Sequence, residues 1–336
     1  MIDEIVYGDV NSIVSCFSPD LFSDKNVLVT GGAGFIGSYL CETLVQLGAT
    51  VVCLDNFSTG LMENIDHLFS KKNFRLITGD VSDYESGKKF DYIFHFASRA
   101  SPDDYQLYPV ETLLANSQGS YRLLEQARND DSIILFASSS EIYGNPEVVP
   151  TPEDYVGKVS SIGARSCYVE GKKFSEALFM AYHRKYGLDS RIIRIFNTYG
   201  PRLRGDGFYG RVLSRFILQA LGGKDLTVYG DGSQTRSFCY ITDLIQGILR
   251  AISDGKGKGE VLNLGSPSEI TIMDSAIKLM EIVGRKLNIS YHPLPEDDPE
   301  RRCPEIRKGK ELLNWEPRVN LEKGLKKTFE WFNKRV

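Results

Sequence analysis

The sequence predicts an α/β fold: a doubly wound parallel sheet with a smaller C-terminal α+β domain. Two observations carry this prediction. Short continuous apolar runs alternate with longer segments of helical spacing between about residues 26 and 200. That is the pattern of buried parallel strands with helices on both faces. The alternation then breaks at Gly200-Pro201. With 336 residues, 42% of them apolar, the chain can bury a sizeable core, and more than one domain is expected.

Residues 1–25 carry an apolar periodicity at Ile5, Val6, Ile13 and Val14 and read as an N-terminal helical extension. Strands are predicted at Asn26–Thr30, Thr50–Leu54, Phe74–Thr78, Tyr92–Phe96, Ile133–Ala137 and Arg191–Phe196. Helices are predicted at Phe35–Leu47, Val110–Ala127 and Tyr168–Tyr186. These place one domain at 26–200, with a returning segment near 225–265. Residues 201–336 form mainly a second domain, with helices around 211–221, 272–283 and 321–334. Pro293–Pro299 must be a loop, because helix breakers and three acidic residues crowd together there.

Composition excludes several classes. The net charge is −4, whereas a nucleic-acid binder is usually basic. No apolar run approaches the roughly 18 residues of a membrane span. The N-terminus, with Asp3 and Glu4, does not read as a signal peptide. The six cysteines are scattered without a CxxC pair, which predicts reduced thiols and a cytoplasmic location. The four histidines form no cluster with ligand spacing, so no metal site is expected.

Gly31, Gly34 and Gly37 lie between the first strand and the first helix, the context of a dinucleotide fingerprint. Glycines allow the tight turn and let a pyrophosphate approach the helix N-terminus. Asp55 ends the second strand, where a carboxylate accepts ribose hydroxyls and repels a 2′-phosphate. No Arg follows within Asn56-Phe-Ser58-Thr-Gly60. NAD is therefore the predicted cofactor, in a Rossmann-type domain. Its predicted contacts are Gly31, Gly34, Phe35, Ile36, Gly37, Asp55, Asn56, Ser58, Gly60, Asp80, Val81, Ala97, Ser98, Asn116, Tyr168 and Lys172. His95 reads as a satisfied wall residue.

Tyr168 and Lys172 stand four apart, on one helix face. A neighbouring ammonium and a cationic nicotinamide favour the phenolate, so Tyr168 can serve as a base. Ser138, one strand earlier, can hold the hydroxyl being oxidised. A glycine fingerprint, a serine after the fifth strand and YxxxK in that order resemble the short-chain dehydrogenase/reductases. The chain length and Asn197-Thr-Tyr-Gly-Pro-Arg202 resemble their extended, sugar-nucleotide-modifying branch.

Within that branch, Ser140-Glu141 stands where dTDP-glucose 4,6-dehydratases carry Asp-Glu and where 4-epimerases usually carry small or apolar residues. Decarboxylases and GDP-mannose 4,6-dehydratases both have Ser-Glu. Six further stretches resemble UDP-glucuronate decarboxylases: Ala97-Ser-Arg-Ala-Ser-Pro102, Pro152-Glu-Asp-Tyr155, Ile162-Gly-Ala-Arg-Ser-Cys-Tyr168, Gln219-Ala-Leu221, Leu226–Arg236 and Asp297-Asp-Pro-Glu-Arg-Arg302-Cys-Pro304. Arg99 departs from a Pro usual there, and Cys303 from a basic residue.

This resemblance implies a catalytic set of Ser138, Ser140, Glu141, Tyr168, Lys172 and Arg302. A UDP-sugar would be held by Arg99, Glu141, Asn197, Arg202, Arg211, Tyr229, Gln234, Arg236 and Arg302. For Arg302 the alternative is an exposed charge in an acidic loop. The implied reaction is NAD-dependent decarboxylation of UDP-glucuronate to UDP-xylose through a 4-keto intermediate. A 4,6-dehydratase, a 4-epimerase, or a catalytically silent NAD-binding redox sensor or RNA-binding relative are the alternatives. The resemblance also implies a homodimer formed by helices near 110–127 and 168–186.

Overall fold

The computed structural model describes residues 3–205, 211–295 and 298–335. Its strands are β1 (Asn26–Thr30), β2 (Thr50–Asp55), β3 (Phe74–Thr78), β4 (Tyr92–His95), β5 (Ile133–Ser139), β6 (Ser190–Ile195), β7 (Thr198–Tyr199), β8 (Leu226–Tyr229), β9 (Thr235–Ser237), β10 (Cys239–Tyr240), β11 (Val261–Leu264), β12 (Glu269–Thr271), β13 (Ile289–His292) and β14 (Arg301–Arg302). The helices are α1 (Glu4–Val14), α2 (Phe35–Gln46), α3 (Pro102–Leu107), α4 (Pro109–Asn116), α5 (Gln118–Asp130), α6 (Ser166–Tyr186), α7 (Val212–Leu221), α8 (Ile241–Ser253), α9 (Ile272–Val283), α10 (Arg307–Leu313) and α11 (Leu321–Asn333).

Seven parallel strands form one sheet in the order β11-β6-β5-β4-β1-β2-β3. Successive side chains of each strand go to opposite faces. Val27, Val29, Val51, Cys53, Phe94 and Leu135 join the core beneath α1, α2 and α8. Leu28, Val52, Leu54, Ile93, Ile134 and Phe136 join the core beneath α5 and α6. Both faces are covered, which is why these strands read as continuous apolar runs. The strand order reverses between β1 and β4, and ligands of such sheets bind at the carboxyl ends beside that switch point.

The chain returns to this sheet late. β10 pairs with β7, α8 packs on the sheet and β11 extends it beyond β6. The smaller region comprises the β8–β13 pair, the β12-β9-β14 sheet and helices α7 and α9.

Helix α1 is integrated rather than appended. Val6, Val10 and Ile13 are buried in the main core, each a contribution of about 1.5–3 kcal/mol. Asp9 is also buried and accepts from Tyr240 Oη and Lys327 Nζ, each at 2.5 Å.

One predicted helix is two. The stretch predicted as Val110–Ala127 breaks at Ser117, with φ −96° and ψ −72°. The Ser117 hydroxyl donates to Leu113 O at 2.7 Å, a side-chain bond that competes with the helical ladder and bends it. Residues 293–295 and 298–299 of the predicted loop have no regular structure; Glu296 and Asp297, and residues 206–210 after Gly200-Pro201, lie outside the described residues. Among the described residues no helix is long and apolar enough to cross a membrane, and no group of His, Cys, Asp and Glu is placed to hold a metal ion.

Candidate active site

A cleft of about 750 Å³ opens at the carboxyl ends of β1, β2, β4, β5 and β6 and reaches into the smaller region. Its first half fits a dinucleotide. Gly31 has φ +70°, and a Cβ there would lie 2.8 Å from Ala97 N. A Cβ on Gly37 would lie 2.1 Å from Gly31 O. Only glycine lets the loop fold this closely onto α2, whose free N-terminal N–H groups then face the cleft. Phe35 and Ile36 line the same wall.

Asp55 closes β2. One carboxylate oxygen accepts from Ala33 N and the other from Phe57 N, both at 2.8 Å. Burial raises its pKa, and these two N–H groups oppose the rise. Asn56, Ser58, Asp80, Val81, Ala97 and Ser98 line the cleft. Asp80 accepts from Asn56 Nδ2 at 2.6 Å and from Ser82.

Two expected contacts stand behind the wall instead. Gly60 backs Asp55, and a Cβ there would lie 2.9 Å from its carboxylate oxygens. Asn116 is buried and donates to Ser98 Oγ at 2.9 Å and to Thr112 O at 2.8 Å. His95 is held between Thr30 Oγ1 and Ser120 Oγ, and burial lowers its pKa to about 3. It is a neutral residue buried behind the wall, not part of the expected lining.

The reactive centre lies where β5 meets α6. Lys172 Nζ donates to Ala137 O at 2.8 Å and lies 5.6 Å from the Tyr168 ring centroid. Burial pushes Lys172 down to about 7. Burial pushes Tyr168 up to about 12; the Glu141 charge adds to the rise, while Ser139, Arg211 and Arg302 oppose it. The protein groups alone hold the Tyr168 hydroxyl above its ordinary value; the expected phenolate relies on a cationic nicotinamide as well as Lys172.

The serine that acts on Tyr168 is Ser139, whose hydroxyl opposes the rise of the Tyr168 pKa and accepts from Glu141 N at 3.2 Å. Ser138, expected to hold the hydroxyl being oxidised, donates to Glu176 Oε1 at 2.6 Å. Glu176 is itself paired with Arg194, at 3.0 and 2.8 Å. Adjacent residues of a strand point to opposite faces, so the two hydroxyls cannot share one partner. Ser140 lines the cleft, as do Ser138 and Ser139.

Glu141 and Arg302 meet at the far end of this centre. Glu141 Oε1 lies 3.9 Å from Arg302 Nη1, and both side chains are about a tenth exposed or less. Burial lowers Arg302 to about 10, with Glu141 opposing. Arg302 lines the cleft and is no exposed charge. Its neighbour Cys303 points inward, with Sγ 3.4 Å from Pro267 O. The departure at Cys303 thus lies off the cleft.

The second half of the cleft is rich in guanidinium groups. Arg236 donates to Asp298 Oδ2 and Thr235 O, each at 2.8 Å. Gln234 donates to Tyr229 O at 2.8 Å. Arg211 donates to Ala100 O. Arg99 donates to Asp104 at 2.6 Å and lies 4.0 Å over the Tyr108 ring. Arg202 donates to Glu42 on α2 at 2.8 Å, which ties it to the cofactor helix. Asn197 and Tyr229 complete the predicted set, all of it lining the cleft. Sequence reasoning missed Arg165 and Arg215, which line it too. Arg215 lies 4.9 Å over the Tyr229 ring. A stacked cation beside an aromatic face suits a nucleotide.

Residues 27–265 match the NAD dependent epimerase/dehydratase family. The chain belongs to this family. Proteins similar to the chain include UDP-glucuronic acid decarboxylase 1 of Danio rerio, 45% identical over 93% of this chain and 73% of that one. UDP-glucuronic acid decarboxylase 3 of Arabidopsis thaliana is 43% identical over 93% and 90%. Among solved structures, UDP-glucuronic acid 4-epimerase from Bacillus cereus, in complex with UDP-glucuronic acid and NAD, superposes with a TM-score of 0.84 at 29% identity, covering 93% of this chain and all of that one. The chain is thus NAD-dependent, with its glycine loop, Asp55, Tyr168 and Lys172 in one cleft.

Proposed function

We propose that the chain decarboxylates UDP-glucuronate to UDP-xylose. The observation that carries this is the Glu141–Arg302 pair set beside Tyr168. A buried guanidinium is a ready partner for a sugar carboxylate. The similarity to UDP-glucuronic acid decarboxylases over nearly the whole chain supports the same reading.

Bound NAD supplies a hydride acceptor for C4, later the hydride donor, and a positive charge beside Tyr168. Tyr168 takes the proton of the 4-hydroxyl. The resulting ketone is β to the C6 carboxylate, so loss of carbon dioxide leaves an enolate. Ser139 and Tyr168 donate to the developing oxyanion. Arg302 and Glu141 orient the carboxylate, and Glu141 governs protonation at C5. Lys172, one turn from Tyr168 on α6, adds positive charge there in its protonated form, which its lowered pKa of about 7 confines to about neutral pH and below. Ser140 stands where a dehydratase carries its acid, and a serine hydroxyl is a far weaker proton donor for a leaving hydroxyl. Release of carbon dioxide from UDP-glucuronate is the test.

The cytoplasmic location and the homodimer are part of this proposal. Tyr108, Val110, Leu113, Leu114, Tyr121 and Phe174 are exposed on or beside α4, α5 and α6. An apolar patch of this kind favours a partner surface, and two copies joined here would form a four-helix contact.

A further inference from the structure

The proposed chemistry leaves one buried side chain at the centre unused. Tyr105 stands on α3, fully buried and outside the cleft lining. It touches two catalytic groups from behind. Its Oη donates to Glu141 Oε2 at 3.1 Å. Its ring lies on the Tyr168 ring, with centroids 4.9 Å apart and 3° between the planes. Its carbonyl accepts from Cys167 Sγ at 3.3 Å, which ties α3 to α6 one residue before Tyr168.

Glu141 needs such a partner. Its other oxygen is 3.9 Å from Arg302, too far for a well-formed hydrogen bond. The Tyr105 hydroxyl is then the direct side-chain donor that fixes the carboxylate plane. Burial and the Glu141 charge hold the Tyr105 hydroxyl well above its usual range, so it remains a donor. The parallel ring contact restricts the tilt of Tyr168 and thereby the direction of its hydroxyl. Orientation of this kind is worth large rate factors.

We propose that Tyr105 is a positioning residue that aims Glu141 through its hydroxyl and Tyr168 through its ring. The inference rests on the decarboxylase reading, and it assigns the two contacts to different halves of the reaction. The hydroxyl serves loss of carbon dioxide and protonation at C5. The ring serves removal of the 4-hydroxyl proton and hydride transfer.

Tyr105→Phe and Tyr105→Leu, prepared as the full NAD-loaded protein, separate the two contacts. NADH absorbance in a single turnover with UDP-glucuronate reads hydride transfer, and carbon dioxide release reads the second half. Tyr105→Phe keeps the ring, so NADH forms at a rate within about twofold of wild type. Carbon dioxide release and kcat fall by about tenfold or more, KM is unchanged and NADH accumulates. Tyr105→Leu slows NADH formation by about tenfold. A Tyr105→Phe variant that releases carbon dioxide as fast as wild type overturns the assignment alone. Equal slowing of both halves in Tyr105→Phe, with a raised KM, overturns it as well. Wild-type protein that oxidises UDP-glucuronate without releasing carbon dioxide overturns the decarboxylase reading and the hydroxyl's role together.

Discussion

Ser138 and Ser139, adjacent on β5, bond to different partners: Ser138 donates to Glu176 at 2.6 Å, while Ser139 accepts from Glu141 N at 3.2 Å and its hydroxyl opposes the rise of the Tyr168 pKa. We therefore assign the substrate-side hydroxyl of the proposed mechanism to Ser139. Ser139→Ala should lower kcat by about 10²-fold, the usual loss for one oxyanion donor. Ser138→Ala should cost about 1 kcal/mol of stability through the lost hydrogen bond, with kcat within a few-fold of wild type. Steady-state kinetics and urea unfolding of both variants check this. The reverse order of effects on kcat would return the role to Ser138.

Lys172 gives a pH signature. Burial lowers its folded pKa to about 7 from 10.5. Between those values the unfolded chain binds the proton that the folded chain has lost, so this group makes stability rise with pH across that window. Wild type should gain stability relative to Lys172→Met between about pH 7 and about pH 9.5, as read by urea unfolding. A pH-independent difference would place the folded pKa of Lys172 outside the window. Lys172→Met should also lose most activity at every pH.

Asp55 is a cofactor determinant and a loop anchor at once. Asp55→Asn keeps one acceptor but turns an amide donor toward a backbone N–H. NAD affinity should fall by about tenfold or more, the equivalent of one charge-assisted hydrogen bond. Discrimination against NADP should weaken, because the carboxylate no longer repels a 2′-phosphate. Calorimetric titration with both cofactors checks both statements.

The patch around α4–α6 predicts its own disruption. Val110→Asp combined with Phe174→Asp places charge on exposed apolar positions. Light scattering should show a dimer for wild type and a monomer for the double variant. A wild-type monomer at micromolar concentration would remove the dimer from the proposal.

Much of the scaffold was legible in the sequence, because strands buried on both faces leave continuous apolar runs and the glycine loop has a fixed spacing. Six of the seven sheet strands were placed to within two residues. What stayed hidden depends on register or on distance along the chain. Neither composition nor spacing reveals which of three consecutive serines faces Tyr168, since one residue of slip exchanges the faces. The bend at Ser117 is set by a single hydroxyl contact. The role of α1 rests on Asp9 meeting Lys327, 318 positions away. Tyr105 meets Glu141 across 36. Glu176 had a signal, one helical turn beyond Lys172, but its partners Ser138 and Arg194 come from two different strands.

The most direct test is the product mass after incubation with UDP-glucuronate, first without added NAD and then with it. The account predicts a product lighter by one carbon dioxide, with the pentose fully reduced to UDP-xylose. A product of unchanged mass and shifted retention would contradict it and point to 4-epimerisation. A product lighter by one water would point to dehydration.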